Sequence, residues 1–192
     1  MTRLLRAGSA AIGAGTVVLV TGLLGGGCIV PPPEFDDPAV QGDYEDGDAE
    51  HRPGQPCLLC HTDNIQLSLL PAWEVAGTVY GRIDDPEEAG LQGVEVLITD
   101  DTGFEITALT NRAGNFIVAV DTGVNAPRVD DEGVLAIPRE LEFPLSVKIR
   151  RGADEQEMTT KIWRNGGCAH CHGPEPGAES VGRVYLFDEV TP

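Results

Sequence analysis

Gly93-Val94-Glu95-Val96-Leu97-Ile98-Thr99-Asp100-Asp101-Thr102-Gly103-Phe104-Glu105-Ile106-Thr107-Ala108-Leu109-Thr110 spells two β-rich runs around a polar turn that ends in glycine. Such runs suit the pleated, half-buried surface of a strand, and the short turn between them predicts a hairpin. The same pattern continues on both sides. Residues 75–80 read as an earlier strand, and Asn111-Arg112-Ala113-Gly114 is a turn leading into a strand over 115–120. After a loop containing Asp130, Asp131 and Glu132, residues 144–150 and 157–162 complete the set, and a short run at 134–137 would add one more. The expected fold is mainly β, a single antiparallel β-sandwich of about six or seven strands.

Ala76-Gly77-Thr78-Val79-Tyr80, then residues 93–100, then Thr110-Asn111-Arg112-Ala113-Gly114-Asn115-Phe116 resemble the carboxypeptidase regulatory-like, or transthyretin-like, β-sandwich family over residues 73–163. The resemblance implies a scaffold that usually has no activity of its own. Related adhesin modules form Lys–Asn isopeptide crosslinks. Here Lys148 and Lys161 are the only lysines and neither lies in the first strand, so that crosslink is not carried over. Nothing in the block looks like a nucleophile with its base, and the segment contains no His, so no catalytic residue is expected in it. The acidic turns Asp84-Asp85, Asp100-Asp101 and Asp130-Asp131 could gather oxygens around calcium, but they lack EF-hand alternation and are expected to be solvated loops.

Chemistry is concentrated in the two flanks. Gly54-Gln55-Pro56-Cys57-Leu58-Leu59-Cys60-His61 precedes the sandwich, and Gly166-Gly167-Cys168-Ala169-His170-Cys171-His172 follows it. Both match the Cys-x-x-Cys-His signature of c-type haem attachment. Two thiols add across the two vinyl groups of one haem, and the next residue, His, is held beneath the iron as proximal ligand. With four His in 192 residues, chance is a poor source of two such fifth positions. The expectation is two c-type haems, one on Cys57, Cys60 and His61, the other on Cys168, Cys171 and His172, with His61 and His172 bound to iron. Taken with the flanks, the chain resembles a dihaem c-type cytochrome with a sandwich inserted between its haem motifs. The alternatives are one zinc held by Cys57, Cys60, Cys168 and Cys171, which leaves both His without a role, and two local disulfides.

Candidate sixth ligands are Met158, His51 and His170. Met158 has a competing role as an ordinary core Met, and His51 as a solvated side chain in an acidic segment. His170 cannot readily reach the face of its own haem but could ligate the other. An even number of antiparallel strands would return both motifs to one pole of the sandwich, whereas an extra strand at 134–137 would separate them. Residues 182–187 are a candidate edge strand in a tail that could equally be loosely docked.

The N-terminus reads as an export signal. Met1-Thr2-Arg3-Leu4-Leu5-Arg6 is basic, and an uncharged run to Leu24 follows. Leu24-Gly25-Gly26-Gly27-Cys28 resembles the lipobox of bacterial lipoproteins, which makes Cys28 the expected lipid anchor; Gly25 departs from that pattern, and a plain signal or an uncleaved anchor is the alternative. Pro31-Pro32-Pro33 and the carboxylates after it read as a disordered, extended tether. The formal net charge of −18 removes the cationic surface that nucleic acid needs, and is compatible with a cationic redox partner or with simple solubility.

The expected organisation is a signal peptide over residues 1–27, an acidic tether over 28–52, a first haem-attachment segment over 53–72, the β-sandwich over 73–163, and a second haem-attachment segment with a tail over 164–192. The expected protein is an exported, membrane-tethered electron carrier or redox accessory subunit. A structural or adhesion-type lipoprotein stapled by zinc or disulfides competes with it, as does a haem enzyme with an open coordination site.

Overall fold

A computed structural model describes residues 49–59, 61, 73–121, 123–130, 133–178 and 180–187. The signal peptide, Cys28, nearly all of the tether, and Cys60 lie outside the described residues. Among the described residues no helix is long and apolar enough to cross a membrane.

The chain is a mainly β protein built of two packed sheets. β1 (Trp73–Tyr80), β4 (Asn115–Val120), β5 (Arg128–Val129), β6 (Leu135–Ile137), β9 (Gly166–Gly167) and β10 (Val184–Tyr185) form one sheet. β2 (Glu95–Thr99), β3 (Glu105–Leu109), β7 (Ser146–Arg151) and β8 (Asp154–Glu157) form the other. The hairpin expected from the opening stretch is present. β2 and β3 pair antiparallel with Glu95 opposite Leu109 and Thr99 opposite Glu105. Their burial alternates along each strand, so Val96, Ile98, Ile106 and Ala108 face the core. The core between the sheets is completed by Val75, Val79, Phe116, Val118, Ile137, Leu145 and Leu186.

Three expectations are corrected. The return strand placed at 157–162 runs instead over Asp154–Glu157, because Gly152, at φ 66°, turns the chain sharply after Arg151 and pairs Arg151 with Asp154. A charged run such as Asp154-Glu155-Gln156-Glu157 carries little strand propensity. It is stable here as an exposed sheet edge, where charge discourages further pairing. Within residues 158–162, Met158 N–H donates to Val147 O and Ile162 forms an isolated bridge with Leu145.

The first sheet is mixed rather than antiparallel, since β1 pairs parallel with β9 and β10, and β4 parallel with β6. Strand parity therefore fails as a guide. The chain does form a strand within 134–137, yet both motif segments still reach β1, because parallel crossovers break the simple up-and-down order.

Asp100 is buried rather than solvated. Its carboxylate accepts from the Thr102, Phe104 and Glu142 backbone N–H groups, the Thr102 hydroxyl and the Arg139 guanidinium. Burial pushes its pKa upward, but these donors outweigh it and hold the carboxyl well below the usual range. It caps the β2–β3 turn and ties it to the segment before β7. Asp130 similarly accepts from Val134 N–H.

Candidate functional site: two cysteine–histidine turns on one strand

β1 is the strand on which the flanks converge. Its inner residues Val75 and Val79 enter the core, while Thr78 and Tyr80 lie on the alternate face and are buried as well. What covers that second face is the chain around the first motif. The Gly54 N–H donates to Thr78 Oγ1 at 2.7 Å, and the Thr78 hydroxyl donates to Asn115 Oδ1 at 2.7 Å. Asn115 Nδ2 donates to the Ala49 and His51 carbonyls, and Asn111 Nδ2 to Ala49 O at 2.6 Å. Arg112 adds an ion pair with Glu50. Docking thus begins within the segment expected to be tether. His51 is half-buried instead of solvated, its ring centroid 6.0 Å from that of His61.

The second motif reaches β1 along the opposite flank from β4. Gly166 and Gly167 pair parallel with Val75 and Ala76. Only glycine permits this approach at Gly166, where a Cβ would lie 2.1 Å from the Glu74 carbonyl oxygen. Cys168 then packs against the core beside Gly77 and Phe116.

Both motifs close in the same way. Cys57–Leu59 and Cys168–His170 are single 3₁₀ turns. In each, the His N–H donates to the carbonyl of the first Cys, His61 to Cys57 at 3.0 Å and His172 to Cys168 at 2.9 Å. A bond of that span brings the first and fifth residues onto one side of the turn. It gives the spacing Cys-x-x-Cys-His a structural meaning at two sites that share no neighbouring sequence.

The two imidazoles are held differently. His172 Nδ1 lies 3.0 Å from the Gly182 carbonyl oxygen, which can only accept, so Nδ1 carries the hydrogen and Nε2 of the neutral ring keeps its lone pair. Burial lowers the His172 pKa, opposed by that hydrogen bond, and this favours the neutral form that ligates metals. His61 is buried and stacks face to face on Trp73, centroids 3.4 Å apart and planes within 5°. Trp73 N–H also donates to the His61 carbonyl at 3.1 Å.

Of the expected ligand set, Cys57, His61, Cys168, Cys171 and His172 are brought to this strand or to the turns on it; Cys60 lies outside the described residues. Burial, reinforced by the neighbouring Cys57 and Cys171, pushes the Cys168 thiol up to about 12, so it is neutral at pH 7. Among the described residues no group of three or more His, Cys, Asp or Glu is arranged to hold a metal ion by itself. His170 turns its Nδ1 back to the Gly167 carbonyl of its own turn. Met158 packs on the core from the other sheet, its N–H donating to Val147 O. β10 within residues 182–187 pairs with β1 and supplies, through Gly182, the acceptor for His172.

Sequence reasoning missed the polar clamp of Thr78, Asn111 and Asn115, which looks like ordinary turn chemistry. It also missed Trp73. The signal available for Trp73 was its position at the end of the segment that leaves His61. In comparisons with known proteins, no family model, no curated protein and no solved structure matches the chain.

Proposed function

We propose that this chain is an exported, lipid-anchored c-type cytochrome that carries two covalent haems for electron transfer between protein partners. One observation carries the reading. Two Cys-x-x-Cys-His segments on opposite sides of the sandwich sequence adopt the same closed turn and dock on the same strand, β1. Cys57, Cys60 and His61 would hold one haem, and Cys168, Cys171 and His172 the other. The donor chemistry fits. His172 keeps Nε2 as a lone-pair donor with its tautomer fixed by Gly182, and a neutral, half-buried Cys168 suits a thioether better than a thiolate.

When bound, a haem supplies a one-electron iron couple. The chain's own residues do the rest. β1 and its polar clamp hold the two segments side by side, the sandwich resembling the carboxypeptidase regulatory-like family serves as the rigid mount, and Cys28 with the acidic segment gives reach from a membrane.

The test is the intact mass and visible spectrum of the mature protein produced with a working haem-attachment system. Two covalent haem increments and c-type absorption are expected, and Cys57→Ala with Cys60→Ala should remove one increment and leave the other. A colourless protein without either increment overturns the reading. A second reading, a structural lipoprotein stapled by zinc or disulfides, rests on the same paired cysteines; it predicts zinc or paired sulfurs in that same colourless sample.

A further inference from the structure

Resting on the first motif as a haem-binding segment, we infer that Trp73 positions His61 and donates its indole Nε1–H to a carboxylate of the group that His61 holds. His61 is clamped by Trp73 twice, through the stacked rings and through the Trp73 N–H to His61 carbonyl bond. The stack fixes the imidazole plane, which sets the direction of any bond made from its ring nitrogen.

The indole leaves one donor over. Trp73 Nε1 is sealed from solvent and finds no hydrogen-bond partner among the described residues. Buried donors in folded proteins are almost always satisfied, and buried tryptophan usually places its N–H against an acceptor. The acceptor is therefore assigned to the bound group. An indole N–H lies in the plane of its ring, and that plane is parallel to the imidazole within 5° at 3.4 Å. The bond from His61 to a ligated iron lies in the imidazole plane, so donor and ligand bond run in adjacent, parallel planes. A haem brings two carboxylates to the edge of such a site, whereas a zinc ion brings no acceptor.

The experiment uses the mature protein with its groups attached. Trp73→Phe keeps a flat ring for the stack and removes only the N–H. Mass should show both haems retained, and a spectroelectrochemical titration should show one of two reduction waves displaced to lower potential with the other unmoved, because the carboxylate charge beside the iron is then less neutralised. An independent readout needs no variant. The chain has two tryptophans, and Trp163 is 64% exposed, so indole NMR of the unaltered protein should give one N–H protected from solvent exchange and one unprotected. Unmoved waves in Trp73→Phe, or two freely exchanging indoles, overturn the inference while leaving the cytochrome reading intact. Absence of haem in the unaltered protein sinks that reading first.

Discussion

Gly77→Ala probes the contact on which the second motif's placement depends. A Cβ built at Gly77 would sit 2.7 Å from Cys168 Cβ, 2.9 Å from its Sγ and 3.1 Å from Phe116 Cε1. Comfortable carbon–carbon separation is about 3.5–4.0 Å, so the new methyl needs roughly 1 Å of relief. Phe116 is buried in the core and cannot supply it. Cys168 is fixed through β9 and by its own turn, which leaves displacement of the whole second motif. Overpacking of this kind costs about 1–3 kcal/mol, and the smaller entropy of the unfolded alanine chain returns roughly 0.4–1.

A net loss of about 1–2 kcal/mol lowers the thermal midpoint by roughly 3–10 °C for a domain of this size. The assay is thermal unfolding followed by circular dichroism on protein expressed without haem attachment, so that every variant carries the same groups. Gly177→Ala, where nothing lies within 4 Å, is the control and should stay within about 1 °C. A double-mutant cycle with Cys168→Gly should show coupling of about 1 kcal/mol, because removing the Cys168 side chain makes room for the methyl. If Gly77→Ala behaves like the control, or if the cycle is additive, Cys168 does not pack on β1 and the convergence of the motifs is wrong.

Asp100→Asn should lower stability by about 1–3 kcal/mol, the cost of weakening the acceptor for a cluster of buried donors, measured as a shift in the urea midpoint. Since its folded pKa is depressed, the Asp100 contribution is present above the ordinary carboxylate range and disappears as pH falls below about 4. The variant should therefore lose less stability between pH 7 and pH 3 than the parent, and an identical acid profile for both would refute the capping role. Asn115→Ala should cost about 2 kcal/mol and free the chain at Ala49 and His51, read as faster limited proteolysis near residue 50. Unchanged cleavage would mean that the segment is held elsewhere.

The hairpin was legible because Val96, Ile98, Ile106 and Ala108 repeat at the period of a strand and Gly103, at φ 82°, closes the turn. β8 was not, because an exposed edge made of Asp154, Glu155, Gln156 and Glu157 leaves no apolar trace. The two motifs could be read residue by residue, since the same Cys-x-x-Cys-His spacing recurs in both flanks. Their meeting on β1 could not. It depends on Gly166 tolerating a carbonyl oxygen where a side chain would stand, and on parallel pairings between segments some ninety residues apart, which no local pattern encodes.

The packing of Cys168 between two distant parts of the chain has a consequence for the order of folding events. Its surroundings form only when the start of the sandwich and the chain beyond its end have come together, and from that moment the half-buried side chain packs against Gly77 and Phe116. A thiol reagent should therefore react faster with the open polypeptide than with the folded one, where part of the Cys168 side chain is covered. Closure of β9 onto β1 thus sets how much of the Cys168 side chain a reagent can reach.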